Sequence, residues 1–383
     1  MSDVDLLVIG AGCAGLALGR SLCEHGARAP RTLLLDARER YTDDRSWSFW
    51  AKPDNPWLGY ARARWSAWAM SRRGHDTVVQ RPSKRRYACL RAIDYYGQQI
   101  RHINASSSVA LRHPTHVHGI EHHHDHFHVE TDSGRLTALH VIDTRPDESI
   151  RPLLWQQFVG EEVRTDAPCF DPGSAGLMLE MDCDQAGFIF TYLLPFGVDH
   201  ALIESTRFSP RLLDAETLRA ETRCATERLT GGERAEVIRQ EFGRLPMGHW
   251  PHNRSVSTRP TRAGAGAGAL RSASGYGFLR MQGWAQACAR SLVKRDHPIP
   301  HPPEPAWRRA MDRRFLEVIR RNPQLAPALF ERMASRLSGD RLARFLGDEA
   351  RIGDVFSMVF ALPKLPFLMP GWTARSQLDT FGA

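Results

Sequence analysis

The 383-residue chain has no apolar run near the roughly 18 residues needed to cross a bilayer, so a membrane span is not expected. Its start lacks a basic stretch, an apolar core and a small-residue cleavage site, so no secretory signal is read. Cysteine is sparse: seven, an odd number without paired spacing. That argues against a disulfide framework and suits a reducing cytoplasm. No internal repeat is visible. Lys and Arg exceed Asp and Glu by 51 to 43, a net charge of +8. No nucleic-acid motif accompanies the excess, so nucleic acid is not expected as a partner. The charge then reads as a solvated arginine-rich surface or as attraction to an anionic leaflet.

What the chain does have stands at its beginning. Asp5-Leu-Leu-Val-Ile-Gly10-Ala-Gly12-Cys-Ala-Gly15 is a short apolar strand running into G-x-G-x-x-G. Leu16, Ala17, Leu18 and Leu22 then give a helical apolar face, and a second apolar run from Thr32 ends in Asp36. Gly10 allows the tight turn, Gly12 lets the backbone approach a pyrophosphate, and Gly15 lets helix pack on strand. The helix N-terminus offers N–H groups and a positive dipole to phosphates. Asp36 can take ribose hydroxyls. Strand, turn, helix, strand and acid stand in the order that dinucleotide binding needs.

Residues 1–150 read as this βαβ start followed by a β-meander. Trp47, Trp50, Trp57, Trp65 and Trp68 fall close together, as a packed aromatic core or as a wall for an apolar ligand. Eight of the 17 histidines lie in 113–128. His122, His124, His126 and His128 alternate and would share one face of a strand; adventitious metal binding is the expectation, so no metal site is assigned. Asp132-Ser-Gly134 reads as a hairpin turn. Asp143 ends the returning strand, a place that often lies near the cofactor in two-dinucleotide flavoproteins. Residues 151–255 read as an inserted substrate domain with strands at 187–194 and 200–204 and a helix from Asp214 to Leu229. Residues 256–297 return to the first domain with a glycine-rich cofactor element, Gly264-Ala-Gly266-Ala-Gly268 and Ser274-Gly275-Tyr276-Gly277. A proline-rich linker opens 298–383, a helical region that ends in an apolar tail over 356–370.

Several segments together resemble the FAD-dependent lycopene cyclase family. Asp44-Arg45-Ser-Trp47-Ser-Phe-Trp50 is similar to its Arg-Thr-Trp-Cys-Phe-Trp segment. Trp155-Gln-Gln-Phe-Val-Gly160, Phe170-Asp-Pro172 and Leu177-Met-Leu-Glu180 resemble its central region. Tyr192-Leu-Leu-Pro195 and Leu202-Ile-Glu204-Ser-Thr206 resemble the strand pair that carries its Phe-Leu-Glu-Glu-Thr motif. The glycine segment ending in Ser274-Gly275-Tyr276 resembles its Thr-Gly-Tyr stretch, and Arg344-Phe-Leu-Gly-Asp348 and Leu362-Pro-Lys-Leu-Pro-Phe367 follow in order. Three positions depart from the family pattern. Ser205 replaces the second acid, Arg271-Ser272 stands for His-Pro, and Ser274 stands for Thr. They bear on the substrate rather than on the fold.

The resemblance implies an α/β Rossmann-like FAD domain of the two-dinucleotide-binding type, an interleaved β-rich substrate domain and C-terminal helices. It implies FAD held by Gly10, Gly12, Gly15, Asp36, Arg45, Asp143, Gly264, Gly268 and Gly275, active when reduced, with NAD(P)H as a sparing reductant. It implies ring closure at the end of a linear polyene such as lycopene. Closure needs an acid that can protonate an alkene, and a carboxyl in an apolar pocket keeps its proton available. Glu204, following Ala201-Leu-Ile203, is the expected acid; an edge-strand surface glutamate would read the same from pattern alone, and Glu180 and Asp182 are next in line. A flavin monooxygenase, a polyprenyl reductase or a cyclase acting on another polyene shares the cofactor fold. The halogenase Trp-x-Trp-x-Ile-Pro motif is absent, as is the late Gly-Asp pair of monooxygenases. A C40 hydrocarbon dissolves only in bilayers, so peripheral contact with the inner face of the membrane is expected, through basic charge and the apolar tail at 360–369. The oligomeric state is left open.

Overall fold

The computed structural model describes residues 2–147, 149–251 and 258–368. Met369, Pro370 and the 255/256 boundary lie outside them. The strand Val4–Ile9 sits at the centre of the first sheet, with Leu6, Leu7 and Val8 fully buried. Thr32–Leu35 and Gly134–Asp143 flank it in parallel register, and Val109–Arg112 extends the parallel side. Strands buried on both faces need continuous apolar runs, which Leu-Leu-Val-Ile supplies. Helices Cys13–Cys23, Ala92–Asn104 and Phe278–Arg295 cover one face. Antiparallel strands Val117–His123 and His126–Thr131 complete the other edge as a meander with Gly134–Asp143.

The histidines do not alternate along one strand. The chain reverses at His124-Asp125, with His124 at φ 53°, so His122 lies on one strand and His126 and His128 on the next. A four-residue alternation across a two-residue turn looks like one strand in sequence. Among the described residues no group of three or more His, Cys, Asp or Glu is arranged to hold a metal.

The second sheet runs in the order Ala235–Met247, Leu154–Thr165, His200–Ser209, Gly187–Pro195, Ser174–Asp184, Ala67–Arg72, Val78–Gln80. Thus part of the segment between the first two βαβ strands and the meander crosses into the substrate-side sheet. Ser46–Ala51, Arg86–Arg91 and Ala63–Trp65 form a small third sheet. Helix Ala215–Leu229, capped by the Asp214 carboxylate on Thr217 N, covers one face of the second sheet. The other face meets helices Ala306–Arg321 and Ala326–Arg336, where Phe188 and Phe330 stack at 5.3 Å. The result is an α/β fold: a Rossmann-like domain, an interleaved β-rich domain and C-terminal helices.

Candidate active site

One cavity of about 1040 Å³ joins the glycine turn of the first domain to the second sheet. At the first end, Gly10 has φ +89°, and a Cβ there would meet Thr144 Oγ1 at 2.5 Å. A Cβ on Gly15 would lie 2.1 Å from the Gly10 carbonyl oxygen, so helix Cys13–Cys23 can start only if that position is bare. Gly12 is different: it lines the cavity, and a Cβ there would meet only Arg38 Nη2, at 3.6 Å. No side chain caps the helix at Gly12. A bare backbone, an uncapped helix N-terminus and open space in front of both suit a pyrophosphate.

Asp36 is buried at the end of its strand. Its Oδ2 accepts from Ala11 N–H at 2.7 Å, and Arg38 grips both carboxylate oxygens, at 2.8 and 2.9 Å. Burial opposes its ionisation, but these donors outweigh it and the carboxyl sits below the usual range. Arg38 also lies over Tyr41 and Tyr96 and lines the cavity. Sequence reasoning missed it; its place two residues past the strand-ending acid was the available signal. Arg45 lines the same end, paired to Asp44. Asp143 does not line the cavity; it holds Arg145, which does, and Arg262. Gly264 (φ +83°) and Gly275 (φ +73°) line the cavity, whereas Gly268 (φ +89°) serves the turn behind it. The Gly264 N–H donates to His301 Nε2 at 3.0 Å, and burial pushes this imidazole down to about 3. Arg271 is buried beside Asp312 and over Phe345, tying the glycine segment to the C-terminal helices.

At the other end stands Glu204, at the middle of a strand whose ten residues are all buried. It is not an edge-strand surface residue. Its neighbours in the cavity wall include Tyr192, Leu194, Leu202, Tyr87 and Tyr276. Tyr192 is its cross-strand partner, and Thr206 Oγ1 donates to Glu204 Oε1 at 2.9 Å. Glu180 and Asp182 stand outside the lining, paired to Arg228 and Arg73. Trp47 lines the cavity while Trp50, Trp65 and Trp68 are core, so the tryptophan cluster divides between the two roles.

A second carboxyl, Glu241, also lines the cavity. Gly160 is the register partner of Glu204 on one side and of Glu241 on the other. A Cβ on Gly160 would lie 2.9 Å from Glu241 Cγ and 3.5 Å from Glu204 Cβ. The bare position leaves room for the two side chains to lie side by side above it. Ser46 Oγ donates to Glu241 Oε2 at 2.9 Å, and Arg239 Nη1 at 2.6 Å. Burial, then the charge of Glu241, pushes the Glu204 carboxyl well above the usual range. Burial also raises Glu241, against the pull of Arg239. Sequence reasoning missed Glu241 because Gly160, Glu204 and Glu241 are far apart in the chain and meet only through antiparallel register.

Residues 5–370 match the family described as lycopene cyclase protein. A lycopene beta-cyclase of Paracoccus sp. is 33% identical over 154 residues, 37% of this chain and 38% of that protein. A lycopene beta-cyclase of Pantoea ananas is 26% identical over 262 residues, 63% of this chain and 62% of that protein. The matches thus span less than two thirds of either relative. Among solved structures, a geranylgeranyl bacteriochlorophyll reductase-like protein of Thermoplasma acidophilum superposes with a TM-score of 0.64 at 11% identity, covering 94% of this chain and 95% of that one. The p-nitrophenol 4-monooxygenase of Pseudomonas putida gives 0.59 at 13% identity, covering 96% and 99%. These likenesses show the fold alone. The match over residues 5–370 places the chain in the lycopene cyclase family.

Proposed function

We propose that the protein closes a ring at the end of a linear carotenoid or related polyene, an isomerisation carried out beside bound FAD. The observation that supports it most is the single cavity that runs from the Gly12 turn to the buried carboxyl of Glu204. An alkene is a very weak base, so its protonation needs a neutral, desolvated acid. Glu204 is held in that form by burial and by the negative neighbour Glu241. The proton passes from the Glu204 carboxyl to the terminal double bond. The resulting tertiary cation closes the ring, and a proton returns from the neighbouring ring carbon to carboxylate. No atoms or electrons are gained overall. Tyr87, Tyr192 and Tyr276 line this end of the cavity, and aromatic faces stabilise a cation held over them.

The glycine turn, Asp36, Arg38 and Arg45 would hold the nucleotide, with Gly264 and Gly275 leaving room at the other side. In its reduced form FAD supplies negative charge that stabilises an adjacent cation. NAD(P)H would serve as occasional reductant.

A hydrocarbon substrate also requires contact with a bilayer. Among the described residues no helix is long and apolar enough to cross one. Helix Ile352–Ala361 instead presents Ile352 (78% exposed), Phe356, Val359 and Phe360 (76% exposed), flanked by Arg351 and Lys364. An apolar stripe beside basic residues fits peripheral docking at the interface.

Anaerobic incubation of the dithionite-reduced protein with lycopene, followed by chromatography and mass measurement, tests the reading. A cyclised product of unchanged mass is expected. In a parallel incubation in air with NAD(P)H, a product heavier by oxygen indicates a monooxygenase; in either incubation, one heavier by hydrogen indicates a polyprenyl reductase, and either outcome overturns the proposal.

A further inference from the structure

Glu204 does not stand alone at its end of the cavity. Its register partner across one strand is Gly160, and Gly160 pairs in turn with Glu241. Two buried carboxyls that flank one bare position cannot both ionise cheaply. The surrounding donors are unequal. Glu241 Oε2 receives Ser46 Oγ and Arg239, while Glu204 receives Thr206 Oγ1. Arg239 is itself fixed by Glu162 at 2.7 Å and by Asp43 at 3.3 Å. The charge therefore rests on Glu241 and the proton on Glu204.

We propose that Glu241 is the positioning residue of this site: it shares one proton with Glu204 above the bare Gly160 and keeps Glu204 protonated and turned toward the cavity. The inference deepens the cyclisation reading and rests on it for its use, though not for its existence. The proton balance closes within the pair. Glu204 gives its proton to the alkene carbon, both carboxylates are then negative beside the new cation, and the proton lost by the ring carbon restores the shared state. The groups that face the pair are Arg239 and Glu162 from the second sheet, and Asp43, Ser46 and Cys89 from around the small third sheet, with Tyr87 in the same cavity wall. Tyr192 and Tyr276 face Glu204. Tyr87, Cys89, Tyr192 and Tyr276 are all raised by burial and stay neutral, so Arg239, Glu162 and Asp43 carry the other fixed charges.

Infrared titration of the full chain, without substrate, reads the pair directly. The protonated-carboxyl band that disappears in Glu204→Gln marks Glu204. In Glu241→Gln its titration midpoint is expected to fall by about one pH unit or more, since a neighbouring like charge has been removed. Gly160→Ala, which keeps the charge but pushes the carboxyls apart, should move the midpoint the same way by less. It also carries the test should Glu241→Gln fold poorly. The alkaline limb of the cyclisation profile should shift with the midpoint. An unmoved midpoint in both variants, or activity lost equally at every pH with the limb in place, overturns the proposal. A shifted midpoint in a protein that never cyclises lycopene would leave the pair standing and sink the reaction reading instead.

Discussion

Glu204 and Ser205 are neighbours in the chain but face opposite sides of the second sheet. Glu204 lines the cavity, while Ser205, 1% exposed, lies on the side of Ile203 and Ala201, under helix Ala215–Leu229. Side chains alternate along a strand, so a second acid at position 205 would not have entered the site. A second carboxyl does line the cavity, from another strand: Glu241. Ser205→Ala should therefore leave turnover near the parent value and cost no more than the roughly 1 kcal/mol of an ordinary point change. Steady-state rates and thermal unfolding check both halves; a large fall in rate at unchanged stability would contradict the placement.

Gly12→Val should give a folded protein without flavin. Gly12 has φ −79°, so valine is not strained there, and its Cβ would meet little protein. The branched side chain would fill the space before the helix N-terminus that a pyrophosphate needs. Flavin absorbance per chain after gel filtration, with circular dichroism as the folding control, decides. Full flavin occupancy would refute the assignment of this turn.

The His301 imidazole accepts from Gly264 N–H and is held down to about 3, whereas an unfolded histidine titrates near ~6.5. Between those values the unfolded chain binds more protons, so stability rises with pH across the window and falls as pH drops through it. The loss approaches about 1.4 kcal/mol per pH unit for one such group. In His301→Gln, neutral throughout, the melting temperature should fall less steeply from pH 6.5 downward. Parallel curves for the two proteins would show that His301 is not buried as a neutral acceptor.

How much of this was legible in the sequence follows from distance along the chain. The Gly10–Asp36 unit is local: strand, turn, helix and strand each rest on residues close by, and that unit was readable. Glu204 was placed through its motif, and its burial followed from a strand in mid-sheet. Glu241 and Gly160 were not readable, since only antiparallel register brings them to Glu204. Ala67–Arg72 was likewise hidden: its parallel pairing with Ser174–Asp184 is long-range. The histidine hairpin failed for a local reason, because no Gly or Asn marks the turn at His124-Asp125.

Helix Ile352–Ala361 carries the membrane proposal. Phe356→Glu combined with Phe360→Glu would place charge on its exposed apolar stripe. Flotation with anionic liposomes should drop sharply in the double variant, while activity on detergent-solubilised lycopene persists. Flotation equal to that of the parent would move the docking surface elsewhere.

Glu204→Gln keeps size and hydrogen-bonding capacity but has no carboxyl proton to give. In the anaerobic, dithionite-reduced protein with lycopene, the account predicts retained flavin, an unchanged fold and a turnover lower by about 10²–10⁴. Near-normal cyclisation by Glu204→Gln under the same conditions would contradict it.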